Sequence, residues 1–329
     1  MKILVASAIH PQALEALEAE HHVVRAFNAP EDRLKEAIRD REILVFRSGV
    51  QITASVMEQA PELKLLVRAG SGTDNIDLEY VRERGLTLVR IPGPGAKAVA
   101  ELAFGLMLAL ARNILTADQL TRQGRWAKHQ LTGYLLTEKV LGVVGAGNIG
   151  SRVGWMGAAW GMTALGCVEH PTPEKAARLA EKGIRLTSFQ EVLSQADFVS
   201  IHVPLKESTR NLIDAEALAM MKPGAYLVNL ARGGVVDELA LRDALVRGHL
   251  RGAALDVHAQ EGEGMASPLA DLPNVVLTPH IGAGTFDSQA EIGRIILETV
   301  NSFARGQVPA EGAVTPVGAG PSIPGPSLR

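Results

Sequence analysis

Short, continuous apolar runs of strand length recur along this chain, with helix-like segments in most of the gaps. In the first part they are KILVA at 2–6, EILVFR at 42–47, KLLVRAG at 64–70 and LTLVRI at 86–91. Helix-like stretches such as Pro11–Glu20 and 31–39 lie between them. The rhythm restarts at Val140 with LGVVGAG, TALGCVE, FVSIHV, AYLVNLA, GAALDV and NVVLTP. A strand with one wet face alternates apolar and polar residues, whereas a strand apolar throughout is covered on both faces. The pattern therefore predicts parallel sheets flanked by helices. Its restart predicts two doubly wound α/β domains.

The joins follow from breaks in this rhythm. GPGAK interrupts it at 93–97, and a long helix-like stretch then runs over 99–123. A second break follows His280–Gly284, and helix-like sequence resumes over 287–305. The expected division is one domain from 1–97 plus 284–305 and a second from 98–283. Residues 306–329 hold several prolines among many glycines and little periodicity, so this tail is expected to be disordered.

Composition excludes several classes. The net charge is −3 with no basic block, which argues against general nucleic-acid binding. Cys167 is the sole cysteine, so neither an internal disulfide nor a cysteine-based metal site can form, and no histidine spacing predicts a metal. MKILVASAIH lacks a basic leader and cleavage site and reads as a first strand rather than a signal. The apolar stretch 102–111, bracketed by Glu101 and Arg112, is short of the ~20 residues of a bilayer span and reads as a buried helix. A cytoplasmic protein without membrane partners is expected.

Gly145, Gly147 and Gly150 form G-A-G-N-I-G immediately after the strand-like LGVV and before a helix-like segment. Such glycines also serve plain tight turns. Between a strand and a helix, however, they permit the turn, close approach of a pyrophosphate, and close helix packing, with the phosphates at the helix N-terminus. A ribose-binding acid is then due about 20 residues on. Glu169 follows the second strand of this domain and is the candidate, although a charge there can also be a solvated loop residue. No arginine in that turn offers itself to a 2′-phosphate, which Glu169 would repel, so NAD is the expected cofactor.

Three further residues end strands, where ligands of doubly wound sheets bind. Arg232 precedes Gly233-Gly234 and can grip a carboxylate with two parallel hydrogen bonds, its alternative being a surface ion pair. His280 lies in TPHIGAG and Glu261 in ALDVHAQEG. Each alone is unremarkable, but a histidine kept protonated by a carboxylate is a general acid. Hydride transfer between a nicotinamide and a 2-keto acid needs such a set. His202 and His258 also end strands, and the other histidines read as exposed or capping residues.

These segments resemble the D-isomer-specific 2-hydroxyacid dehydrogenases from residue 2 to about 305. The resemblance rests on RAGSGTDNID (68–77), VAELAFGLML (99–108), GRW (124–126), VVGAGNIG (143–150), HVPL with Thr209, NLARGGVVDE (229–238), ALDV with Glu261, and TPHIGA (278–283). It implies a flavodoxin-like substrate domain and a Rossmann NAD domain, with the cofactor in a cleft. Arg232, Glu261 and His280 would be catalytic, and the backbone around Ser71 and Gly72 would bind the substrate carboxylate. Asn148, Ile149, His202, Pro204 and Thr209 would contact the cofactor. Leu230, Ala231 and Gly282 would do so too, and Asp256 would lie near the carboxamide. The helix from Val99 would pack in a homodimer.

Within the family the likeness is greatest to the 3-phosphoglycerate dehydrogenase branch, on FRSGVQITASV (46–56) and LVRAGSGTDNIDLE (66–79). In that branch Arg47 would hold a distal phosphate; otherwise it is an ordinary strand-end arginine. The resemblance leaves open a hydroxypyruvate, glyoxylate or phosphonate-type keto acid reductase, and an NAD(H)-sensing corepressor-like binding protein. The chain departs from the family pattern in four places. The usual aspartate aligns on Val168, Gly95 stands for an asparagine, His258 for an aromatic, and Gly262 for a proline followed closely by Glu263. These bear on cofactor preference and substrate identity.

Overall fold

The computed structural model describes residues 1–307. The tail expected over 306–329 lies almost wholly outside the described residues. Contacts divide the chain into two compact units, Met1–Pro92 with the segment from Gln289, and Gly93–Ser288. The expected join at 97/98 therefore falls inside a helix, Gly93–Ala111, that already begins at Gly93.

The first unit is a five-stranded parallel sheet of β1 (Lys2–Val5), β2 (His22–Arg25), β3 (Ile43–Phe46), β4 (Leu65–Arg68) and β5 (Thr87–Arg90). Its order is β2-β1-β3-β4-β5, the flavodoxin-like arrangement. β3 and β4 are buried at every position, which is why they read as unbroken apolar runs. One face packs Leu4, Phe46, Leu66 and Leu88 against Leu34 and Met57. The other packs Ile3, Val5 and Val67 against Ile292, Ile296 and Val300 of the C-terminal helix Phe286–Ala304.

The second unit is a seven-stranded parallel sheet of β6 (Val140–Val144), β7 (Thr163–Cys167), β8 (Ile184–Leu186), β9 (Phe198–Ile201), β10 (Tyr226–Asn229), β11 (Gly252–Leu255) and β12 (Val275–Leu277). The order β12-β11-β10-β9-β6-β7-β8 is that of a dinucleotide-binding sheet with one added strand. Chain order reverses between β6 and β9, so the ligand crevice lies at their C-terminal ends.

Three expectations are corrected. β2 and β8 fall outside the expected strands, because their side chains are partly exposed and HVVR and IRL carry no continuous apolar run. The helix expected over 99–123 is two helices, Gly93–Ala111 and Ile114–Arg122, broken at Asn113, whose φ of 52° is left-handed. The first has 19 residues, so by length and composition it could span a bilayer, contrary to the shorter reading. Its Phe104, Met107 and Leu110 instead pack on Leu141, Phe198 and Val228 in the core of the second unit.

Candidate active site

The turn after β6 is built as a phosphate cradle. Gly145 has φ of 90°, and a Cβ there would come within 2.7 Å of the His202 carbonyl oxygen. A Cβ on Gly147 would meet nothing within 4 Å, which leaves the open space a phosphate needs beside the backbone. The helix Gly150–Ala159 starts directly behind it, with Ile149 at its cap. The cavity in front is about 900 Å³ and is lined by Gly145, Gly147, Asn148, Glu169, His202, Pro204 and Thr209. Ile149 and Gly150 belong to the turn without lining the cavity. These features fit a dinucleotide.

Glu169 reaches the cavity but is not alone there. Its Oε2 accepts a hydrogen bond from Lys206 Nζ at 3.0 Å, and that bond holds the carboxyl below the usual carboxylate range. His202 is partly buried beside the cavity. Its Nε2 lies 2.7 Å from Ser200 Oγ, its Nδ1 has no partner among the described residues, and burial lowers its pKa to about 3. It is a neutral ring at neutral pH.

β10, β11 and β12 are neighbours, so the loops at their C-terminal ends lie side by side. They carry Arg232, Glu261 and His280. His280 Nδ1 lies 2.9 Å from Glu261 Oε2. Glu263, two residues further on, is not the partner. Burial pushes the Glu261 carboxyl up, but the hydrogen bond and charge of His280 and the His258 N–H on Oε1 outweigh it and hold it below the usual range. The pair stays partly open to solvent, with the side chains 33% and 41% exposed. An imidazole oriented through Nδ1 presents Nε2 outward as a proton donor or acceptor.

His280 is itself strained, with φ of 54°. Non-glycine residues in this region cost free energy and persist only when neighbours hold them. The holder is Asp256, 1% exposed at the end of β11. Its carboxylate accepts from Thr278 Oγ1 at 2.6 Å, Ile281 N–H at 2.9 Å and Gly282 N–H at 2.8 Å. The Asp256 carbonyl takes the His280 N–H at 2.8 Å. His258 Nε2 adds a brace 3.0 Å from the Thr278 carbonyl.

Arg232 follows the buried Leu230 and Ala231, and its Nη1 donates to the Ala231 carbonyl at 2.8 Å. Asn229 fixes this loop through Nδ2 to the Arg232 carbonyl at 3.2 Å and Oδ1 from Ala231 N–H at 3.0 Å. Gly233 must be glycine, because a Cβ would collide with the His258 carbonyl. That contact packs the arginine loop against the loop carrying Glu261.

In the first unit, Arg47 stands just past β3, where chain order reverses between β1 and β3. This is the ligand position of a flavodoxin-like sheet. Its N–H donates to Ser7 Oγ at 3.0 Å, and burial lowers the pKa of its guanidinium. Asn75 ties its carbonyl to the neighbouring loop at 3.2 Å. Ser71 and Gly72 lie in that loop. Arg68, buried in β4, donates to the carbonyls of Gly72 at 3.0 Å and Ala69 at 3.2 Å, and Arg90 donates to that of Ser71 at 3.4 Å. The N–H groups of Ser71 and Gly72 donate to no described residue. Sequence reasoning missed Arg68, Arg90, Asn75 and Lys206; a charged residue closing the otherwise apolar run LLVR was the one signal.

Among the described residues no group of three or more His, Cys, Asp or Glu side chains could hold a metal ion. Residues 104–282 match the family described as D-isomer specific 2-hydroxyacid dehydrogenase, NAD binding domain. The chain is 41% identical over 309 residues to D-3-phosphoglycerate dehydrogenase of Methanocaldococcus jannaschii, covering 94% of this chain and 58% of that one. It is 38% identical over 286 residues to hydroxypyruvate reductase of Thermotoga maritima, covering 86% of this chain and 92% of the relative. Among solved structures, TT0316 of Thermus thermophilus aligns with a TM-score of 0.86 at 34% identity, over 95% of this chain and 99% of that one. D-lactate dehydrogenase of Aquifex aeolicus, complexed with NAD and lactic acid, aligns at 0.84 and 30%, over 98% and 100%. The chain belongs to the D-isomer specific 2-hydroxyacid dehydrogenase family, and its second unit contains the family's NAD-binding domain. It spans a little over half the length of the curated phosphoglycerate dehydrogenase relatives.

Proposed function

We propose that this chain is an NAD-dependent oxidoreductase that interconverts a small 2-keto acid and its D-2-hydroxy acid. The observation that carries the reading is the Glu261–His280 pair, 2.9 Å apart, with the Glu261 loop packed against that of Arg232 and both in the same unit as the nucleotide cavity. The nicotinamide, when bound, supplies or accepts the hydride. Arg232 fixes the substrate carboxylate. His280 gives a proton to the carbonyl oxygen in reduction and takes it from the hydroxyl in oxidation, while Glu261 stabilises the imidazolium. Leu230, Ala231, Asp256 and Gly282 shape the backbone from which these groups project.

In the first unit we assign the Ser71 and Gly72 N–H groups to the substrate carboxylate and Arg47 to a distal phosphate. 3-Phosphohydroxypyruvate is therefore the first candidate substrate, supported by a desolvated guanidinium at the switch point. Hydroxypyruvate or glyoxylate is the second, supported by the match over 92% of the hydroxypyruvate reductase. A steady-state assay of NADH oxidation, with 2-keto acids bearing and lacking a distal phosphate, decides between them. No turnover on any of them, with NADH still bound, would favour a nucleotide-sensing binding protein. A homodimer is supported by exposed apolar side chains after the first helix of the second unit, Ile114, Leu115, Trp126 and Leu135 among them. A monomeric mass in light scattering would refute it.

A further inference from the structure

The ribose end of the nucleotide cavity is less hostile to a phosphate than Glu169 alone implies. The cavity is also lined by Lys175, Arg178 and Lys182. Lys175 donates to the His170 carbonyl at 2.7 Å and Lys182 to Ser151 Oγ at 3.0 Å. Lys206 is the cation that sits on Glu169, 3.0 Å away, and both side chains are about half exposed, at 51% and 53%. An ion pair so exposed is weak, so it exchanges partners readily. The Lys206 backbone, by contrast, is anchored. Its N–H donates to Thr209 Oγ1 at 2.8 Å, and that hydroxyl donates to the Pro204 carbonyl at 2.6 Å. Thr209 and Pro204 line the same cavity. An anchored backbone with a half-exposed ammonium is thus held beside a carboxylate that lines the cavity.

A ribose 2′-hydroxyl needs an acceptor, and a 2′-phosphate needs a cation. The pair offers one of each. We propose that Glu169 and Lys206 form a two-way ribose subsite, in which Glu169 accepts from the 2′-hydroxyl of NADH and Lys206 leaves it to receive the 2′-phosphate of NADPH. The cavity then takes both nucleotides, and Lys206 sets the preference between them. This rests on the nucleotide reading of the cavity but on no substrate.

Nicotinamide fluorescence titrations of the full chain with NADH and NADPH test it. NADPH should bind the wild type within about thirtyfold of NADH. Lys206→Ala should raise the ratio of the NADPH Kd to the NADH Kd about tenfold, the worth of one charge-assisted contact. Lys206→Arg should restore it and Glu169→Gln should lower it. An unchanged ratio in Lys206→Ala, or a wild type that binds NADH but not NADPH, overturns the inference while leaving the nucleotide reading intact. A wild type that binds neither overturns both.

Discussion

The loop of Ser71 and Gly72 and the turn of His280 both follow parallel strands in doubly wound sheets, yet they are braced by opposite charges. In the first unit, arginines occupy carbonyl groups: Arg68 holds those of Ala69 and Gly72, and Arg90 that of Ser71. The N–H groups are left to donate elsewhere. In the second unit a carboxylate occupies N–H groups, Asp256 taking those of Ile281 and Gly282. A loop braced by cations through its carbonyls keeps the Ser71 and Gly72 N–H groups off described acceptors, as the proposed anion receptor requires. A turn braced by an anion through its amides holds a side chain, here a histidine with strained backbone. The bracing residue thus decides whether a loop's amides or its carbonyls are taken up within the protein.

The largest expected effect breaks the second arrangement. Asp256→Ala strands two amides and releases a strained turn, and should lower unfolding free energy by roughly 3–5 kcal/mol, read by urea denaturation. A loss below about 1 kcal/mol would show that the turn holds itself. Arg232→Ala should come next, reducing kcat/KM by roughly 2–4 kcal/mol while NADH affinity stays near that of the parent. Near-normal kcat/KM would remove Arg232 from the carboxylate.

Acid should then act on the second unit through His202. Its folded pKa of about 3 lies below the ordinary value, so the unfolded chain binds the proton more tightly and stability falls as pH drops below about 6.5. The loss by pH 5 should be ~2 kcal/mol, and His202→Asn should abolish most of it. An equal acid dependence in the variant would place the sensitivity elsewhere.

Glu261→Gln removes the carboxylate that stabilises the imidazolium, so the alkaline limb of the pH–rate profile for reduction, where the proton donor is lost, should move to lower pH. If Glu263→Gln alone moved it, the 2.9 Å pairing would not be the functional one. The smallest general effect falls on the first unit. Arg47→Ala should weaken 3-phosphohydroxypyruvate far more than hydroxypyruvate or glyoxylate. Equal losses of ~0–1 kcal/mol on all three would return Arg47 to an ordinary strand end.

Both sheets could be read from the chain because their central strands are covered on two faces, which forces continuous apolar sequence such as ILVF and LLVR. β2 and β8 could not, since the exposed His22 and Arg185 interrupt the apolar run in HVVR and IRL. The glycine turn could be read for a related reason: steric exclusion at Gly145 acts locally. Arg232, Glu261 and His280 stood out because each follows a strand, but nothing in their spacing showed that Glu261 rather than Glu263 meets the histidine.

What sequence alone determined is what short-range physics enforces: apolar runs, glycines where a side chain collides, and polar residues at strand ends. Only the tertiary structure decided which of those polar residues face one another. Strand order made neighbours of β10, β11 and β12, and so of residues 232, 261 and 280. It also set Lys206 on Glu169 across 37 residues, and turned Asp256 and Arg68 inward on loops whose amides and carbonyls they share out. Hydrogen bonds between distant segments depend on where the chain returns, and that is a property of the packed sheet rather than of any window of sequence.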